Sequence, residues 1–155
     1  LQETTKYLKI LFETMIISGE IEHDSFICYV DDGSNDATWQ LIESFTKNSD
    51  LFRGIKLSRN FGHQNALIAG LMQLKGDADA LISMDADLQD DVQLINKFIA
   101  KFKEGYEVIY GVREDRSKDT PFKRISAEFF YRFQTYMGID TVSNHADYRL
   151  LSSKA

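Results

Sequence analysis

Apolar and polar positions along the chain switch repeatedly between a helical and a strand period. Over residues 5–18, Leu8, Leu11, Phe12, Met15 and Ile16 recur at helical spacing, with Gly19 as a stop. The apolar run over residues 25–30 is short and breaks abruptly at Asp31-Asp32-Gly33-Ser34, which reads as a strand ending in a polar turn. Residues 36–47 return to helical spacing through Trp39, Ile42 and Phe45, and residues 54–57 alternate like a strand. A helix rich in Ala and Leu is predicted over 63–74, and a strand over 78–84 that ends at Asp85. Val92, Ile95, Ile99 and Phe102 form a helical stripe closed by Gly105, and residues 107–110 read as a further strand.

Strands alternating with helices of this length predict crossover units and an α/β fold with a mostly parallel central sheet flanked by helices. Ligands in such sheets bind beyond the carboxyl ends of the strands. The polar clusters at 31–36, 58–60, 85–91 and 111–116 all fall at those ends, so that edge is the expected active face. After Arg113 the pattern changes. Residues 114–121 are charged, carry the one proline, Pro121, and read as a loop; residues 122–137 form an aromatic-rich helical pattern; residues 146–151 read as a last short strand.

A length of 155 residues fits one domain, residues 1–155, and 43% hydrophobic with 27% charged residues is the balance of a packed globular chain. A single cysteine, Cys28, excludes a disulfide framework and a Cys-rich zinc site; it is read as structural, as are His23 and His145. No apolar run approaches the ~18–20 residues that span a bilayer, and no signal peptide opens the sequence, so a cytosolic-type soluble domain is expected.

The net charge of −6 is unevenly placed. Residues 1–100 hold 8 Lys/Arg against 16 Asp/Glu, and residues 101–155 hold 10 against 8. An acidic majority excludes a binder of duplex nucleic acid, which would carry a basic face. The early acids suit a metal, and the later arginines an anion.

Asp85-Ala86-Asp87 is the sharpest local feature. In an extended segment residues i and i+2 point the same way, so the two carboxylates converge. Two hard oxygen ligands at a strand end can hold Mg²⁺ or Mn²⁺, which keeps waters and shares itself with substrate phosphates. Gln89 continues the alternation as a possible third ligand. The competing reading is a pair of turn and helix-capping acids, since a helix begins near residues 90–91.

An EF-hand loop starting at Asp85 fails, with Asp90 where Gly is needed and Asn96 where Glu is needed. P-loop, dinucleotide-binding and nucleophile-elbow motifs are absent from the sequence. Asp32 is placed to accept hydrogen bonds from a base or ribose, while Ser34 or Asp36 suits a helix cap. Arg59 and His63 read as a surface pair and a helix-start residue. Among the basic residues around the 114–121 loop, Arg113 and Arg124 at its two edges are the stronger candidates for phosphate contacts.

Taken in order, Val-Asp-Asp-Gly-Ser at 30–34, Ser-Arg-Asn-Phe-Gly at 58–62, Met-Asp-Ala-Asp-Leu-Gln-Asp at 84–90, Tyr-Gly-Val-Arg at 110–113 and Ala-Asp-Tyr-Arg-Leu at 146–150 resemble one family. It is that of the family 2 glycosyltransferases, in the branch of dolichyl-phosphate mannosyltransferases and bacterial polyprenyl-phosphate glycosyltransferases. The resemblance covers residues 25–152.

It implies a GT-A fold that moves a sugar from a nucleotide-diphospho-sugar donor to an isoprenoid phosphate, inverting the anomeric centre. By matching position, Asp32 would contact the nucleobase, with Asn60 also on the donor side. Asp85, Asp87 and Gln89 would hold the divalent metal on the donor pyrophosphate. Arg113 and Arg124 would bind donor or acceptor phosphates, the 114–121 loop would serve the acceptor, and Asp147 would face the sugar or the attacking group. Other members of the family use a saccharide hydroxyl as acceptor, and a non-catalytic nucleotide-sugar-binding module is the reading from another class.

The family opens with a strand ending in Pro-x-Tyr-Asn-Glu, whereas this sequence starts within the following helix, so the expected sheet lacks its first strand. Many members continue into amphipathic and transmembrane helices. A location at the cytoplasmic face of a membrane follows for the full-length protein, with the aromatic helix at 122–137 either against the bilayer surface or packed in the core.

Overall fold

The computed structural model describes residues 1–87, 89–112 and 145–155. The predicted loop over 114–121 and helix over 122–137, with Arg113 and Arg124, lie outside them. The order is α1 (Gln2–Ile17), β1 (Ile27–Asp31), α2 (Thr38–Asn48), β2 (Phe52–Lys56), α3 (His63–Leu74), β3 (Ala80–Ser83), α4 (Leu94–Lys103), β4 (Val108–Val112) and β5 (His145–Ser152). The alternation read from the sequence is therefore the alternation of the fold.

β1 and β2 pair in parallel, Ile27 opposite Phe52 and Asp31 opposite Lys56. α2, the connection between them, packs on both strands, as a crossover helix must. β5 lies between β3 and β4 and is antiparallel to each. This mixes the layer in a way the alternation does not foresee. Alternation of strands and helices does not by itself set the direction of each strand, and β5 runs against both of its neighbours.

Among the described residues the strands form two ladders, β1–β2 and β3–β5–β4, with no pairing between β1 and β3. The Ile27 N–H donates to Leu51 and the Asp31 carbonyl accepts from Leu57, so alternate residues of β1 face β2. Cys28 and Val30 consequently present their main-chain groups on the opposite edge. On β3, the Asp79 carbonyl accepts from Ser153, which leaves Ala80 and Ile82 presenting theirs away from β5. α3 packs against both β1 and β3 and so spans the two ladders.

One core serves both ladders. Leu8, Leu11 and Met15 of α1 meet Ile27 and Tyr29 of β1, Ile42, Phe52, Ile95, Phe98, and Tyr148 and Leu150 of β5 in a continuous buried cluster. The helical stripe predicted for α1 is the buried one. Tyr29, Phe45 and Phe52 form an aromatic trio with ring centroids about 6 Å apart, and Phe98 meets Tyr148 edge-on at 4.8 Å. Such pairs add to the burial of their area, and they join the middle of β1 to α2 and the middle of β5 to α4.

Candidate functional site

Three of the four polar clusters expected at the carboxyl ends of strands lie within the described residues, and main-chain hydrogen bonds organise each of them. After β1, Asp31 is buried; its Oδ1 accepts the Ser34 N–H at 3.3 Å, while Oδ2 is buried with no partner among the described residues. Asp32 reaches across to the loop after β2. Its two carboxylate oxygens accept the N–H groups of Phe61 at 2.7 Å and Gly62 at 2.9 Å. The Asn60 Oδ1 also accepts the Gly62 N–H, at 3.0 Å. Asp32 and Asn60 thus share a partner at the start of α3.

Gly33 makes this closure possible. It has φ 70°, and a Cβ there would lie 2.4 Å from the Arg59 carbonyl carbon. The two loops therefore touch backbone to backbone, which only a residue without a side chain permits at such a φ. On the outer side the Arg59 guanidinium sits 4.7 Å from the centroid of the exposed Phe61 ring, so Arg59 stacks on an aromatic face. Neither Ser34 nor Asp36 occupies the cap position of α2, which is Ala37, but the Asp36 Oδ1 accepts the Thr38 N–H at 2.9 Å beside it. Hydrogen bonding from Thr38 holds the Asp36 carboxyl below the ordinary carboxylate value.

Beyond β3 the chain turns through Asp85, Ala86 and Asp87. Asp85 is half-buried, whereas Asp87 and Gln89 are exposed. The Gln89 N–H donates to Asp87 Oδ1 at 3.0 Å, a local turn that orients the carboxylate and leaves Oδ2 outside that bond. The Gln93 N–H donates to Asp91 Oδ1 at 2.9 Å just before α4. The geometry of the turn reading is present at Asp87 and at Asp91, each of which accepts the N–H two residues on, and both Asp85 and Asp87 stand before α4.

Two hydroxyls from distant parts of the chain grip this segment. Thr4 Oγ1, in the first turn of α1, donates to the Ala86 carbonyl at 2.7 Å. The Tyr148 hydroxyl, from β5, donates to the Asp91 carbonyl at 3.2 Å. Burial pushes the Tyr148 hydroxyl well above the ordinary tyrosine value, with Asp90 and Asp91 nearby adding to the shift, so it remains a donor. The neighbouring Thr5 shares a 2.8 Å hydrogen bond with the Tyr29 hydroxyl, so one helical turn is tied to β1 and to the turn after β3. Thr4 escapes the sequence reading because nothing local marks it, and Phe61 and Tyr148 fall in the blocks at 58–62 and 146–150 without their contacts being foreseen.

No group of three or more His, Cys, Asp or Glu that could hold a metal occurs among the described residues. The acid pair fits a metal of one kind, a hard divalent cation that takes two protein carboxylates and completes its shell with water and substrate phosphate oxygens. It does not fit a closed structural site, which needs about four protein ligands. Asp147 lies in β5 next to Tyr148.

The family model Glycosyl transferase family 2 matches residues 20–154. "Uncharacterized glycosyltransferase YkoT" of Bacillus subtilis is 46% identical over 154 residues, covering 99% of this chain and 46% of the relative. "Bactoprenol glucosyl transferase" of Shigella phage SfX is 37% identical over 127 residues, covering 81% of this chain and 41% of the relative. "Prophage bactoprenol glucosyl transferase homolog" of Escherichia coli is likewise 37% identical over 127 residues, with 81% and 41% covered. The chain spans less than half the length of these curated relatives.

Proposed function

Because the chain belongs to glycosyl transferase family 2, with the GT-A fold that this implies and the divalent metal that the family generally uses, we propose that it transfers a sugar from a nucleotide-diphospho-sugar to a polyprenyl phosphate, with inversion. The observation that carries this reading is the pair Asp85 and Asp87 at the end of β3, in a chain 37% identical to proteins named bactoprenol glucosyl transferases. In the full-length protein the reaction takes place at the cytoplasmic face of the membrane. Among the described residues no helix is long and apolar enough to cross a membrane.

Asp85 and Asp87, with Gln89, would hold Mg²⁺ or Mn²⁺, and the ion when bound supplies positive charge to the departing diphosphate. The loop closed by Asp32 and Asn60 holds the nucleoside. Arg113 and Arg124 bind phosphates of donor or acceptor, and the 114–121 segment receives the acceptor. Asp147 faces the sugar or the attacking oxygen. A phosphate monoester has a second pKa of about 6, so the acceptor is largely a dianion at neutral pH and requires alignment rather than deprotonation. A sugar hydroxyl would require a base in addition.

The test is transfer of radiolabelled sugar from UDP- or GDP-sugars, with Mn²⁺, to undecaprenyl phosphate in detergent by the full-length protein. A lipid-extractable, phosphate-linked product is expected. Transfer to saccharides only, with none to the lipid phosphate, would overturn the acceptor assignment.

A further inference from the structure

The segment carrying the acid pair is short, exposed at Asp87 and at Gln89, and lies outside any helix or strand. Turns of this kind sample several main-chain arrangements unless something outside them fixes their peptide planes. Here the fixing group is visible. Thr4 is 2% exposed, and its hydroxyl donates across 82 positions of sequence to the carbonyl between the two carboxylates, Ala86 O, at 2.7 Å.

That carbonyl belongs to the same peptide plane as the Asp87 nitrogen. Holding it sets the direction in which the Asp87 side chain leaves the backbone, and the Gln89 N–H then sets the carboxylate itself. Thr4 has no freedom to follow a moving turn. It sits in a helix whose first turn is locked by the adjacent Thr5, bonded to both the Leu1 carbonyl and the Tyr29 hydroxyl. At the far end of the segment the buried Tyr148 hydroxyl holds the Asp91 carbonyl.

We propose that Thr4 is a positioning residue for the carboxylate pair, its hydroxyl fixing through the Ala86 carbonyl the turn that gives Asp85 and Asp87 their joint affinity for a divalent cation. This rests on the metal reading of the two aspartates. Thr4 does not touch cation or substrate. Its contribution is preorganisation: without the bond the turn must be ordered at the moment of binding, and the binding free energy is reduced by that ordering.

The test measures Mn²⁺ affinity from the electron paramagnetic resonance signal of the free ion, with UDP or GDP present, on the full-length protein and three variants. Thr4→Val removes the hydroxyl at constant shape, Thr4→Ser keeps it, and Asp87→Asn removes a carboxylate. Thr4→Val is expected to weaken Mn²⁺ binding about tenfold, the low end for supporting contacts around metal ligands. Thr4→Ser should stay close to the parent, and melting temperatures should rule out global unfolding as the cause.

Parent-like affinity in Thr4→Val, with binding lost in Asp87→Asn, would overturn the positioning role while sparing the metal site. Parent-like affinity in Asp87→Asn would overturn the metal reading and the proposal with it. Should the valine variant not fold, Thr4→Ala deletes the hydroxyl without placing a methyl in its stead, and carries the same expectation and the same refutation.

Discussion

The Asp32 carboxylate accepts the main-chain N–H of Phe61 at 2.7 Å, joining two strand-end loops that lie 29 residues apart in sequence. With the second oxygen on Gly62, one side chain holds the mouth of α3 against the end of β1. A residue assigned to the nucleobase by its place in a motif therefore also builds the loop on which a nucleoside would rest. The two duties make different demands. A base contact needs an oxygen facing the ligand, and loop closure needs both oxygens facing the backbone.

Replacement separates them. Asp32→Asn keeps one acceptor oxygen and loses the charge, and Asp32→Ala loses both acceptors. Hydrogen bonds to a charged group contribute about 1.5–3 kcal/mol when shielded and less at an exposed site. We expect Asp32→Ala to lower unfolding stability by about 1 kcal/mol and to weaken nucleoside diphosphate binding more strongly than Asp32→Asn. Urea unfolding and calorimetric titration with UDP and GDP give the two quantities. Equal binding by both variants and the parent would remove Asp32 from the donor site.

Gly33 and Gly19 offer an internally controlled comparison, since their φ angles are 70° and 71°. A Cβ at Gly19 would meet nothing within 4 Å, whereas one at Gly33 would meet the Arg59 backbone at 2.4 Å. Gly19→Ala should therefore cost only the left-handed penalty, about 1 kcal/mol. Gly33→Ala must also force the loops apart, and is expected to cost at least about 2 kcal/mol together with donor binding. Equal losses in urea unfolding would show that the loops part easily.

Cys28 illustrates a residue whose lack of role is itself measurable. Burial pushes its thiol up from the ordinary 9 to about 11, the nearby Arg53 guanidinium drawing it back only in part. The thiolate fraction at pH 8 is then about a hundredfold lower in the folded than in the unfolded chain, and alkylation by iodoacetamide should slow by a similar factor. The sign of the linked stability effect follows. The unfolded chain releases this proton first, so the contribution is intact below pH about 9 and is lost as pH rises through about 11. Folded-state alkylation as fast as in urea would contradict the burial of Cys28.

How much of this was legible in the sequence depends on the range of the interaction that decides it. Strand ends were readable because an apolar run stops at its first acid, as at Val30–Asp31 and Met84–Asp85, and the fold places polar turns there. The start of β2 was not. Alternation begins at residue 54, but the strand begins at Phe52, because Phe52 is buried opposite Ile27 and the register belongs to β1. The direction of β5 was hidden for a related reason: an eight-residue strand carries no mark of which way its neighbours run. Within the site, the acid pair and Asp32 were visible as residue types at strand ends. Their anchors were not, since Thr4 lies 82 positions from Ala86 and Tyr148 lies 57 from Asp91, and a threonine in the first turn of a helix looks like any other.

The acid pair gives the sharpest discrimination between a capping and a ligating role. In the structure Asp87 makes one local bond, from the Gln89 N–H to Oδ1, and is exposed. A purely capping aspartate at such a site contributes about 0.5–2 kcal/mol to stability and nothing to ligand binding. A ligand to a cation shared with substrate phosphates contributes little to stability without the ion and nearly all of the metal dependence. Asp87→Ala is therefore expected to leave the melting temperature within a few degrees of the parent while abolishing the Mn²⁺-dependent part of nucleotide-sugar binding. Asp91→Ala should show the converse, lower stability with metal dependence retained, because the Asp91 carboxylate holds the Gln93 N–H at the start of α4. Calorimetric titration of each variant with UDP- and GDP-sugars, with and without Mn²⁺, reads both quantities. Unchanged donor affinity in Asp87→Ala would return the pair to the role of turn-forming acids.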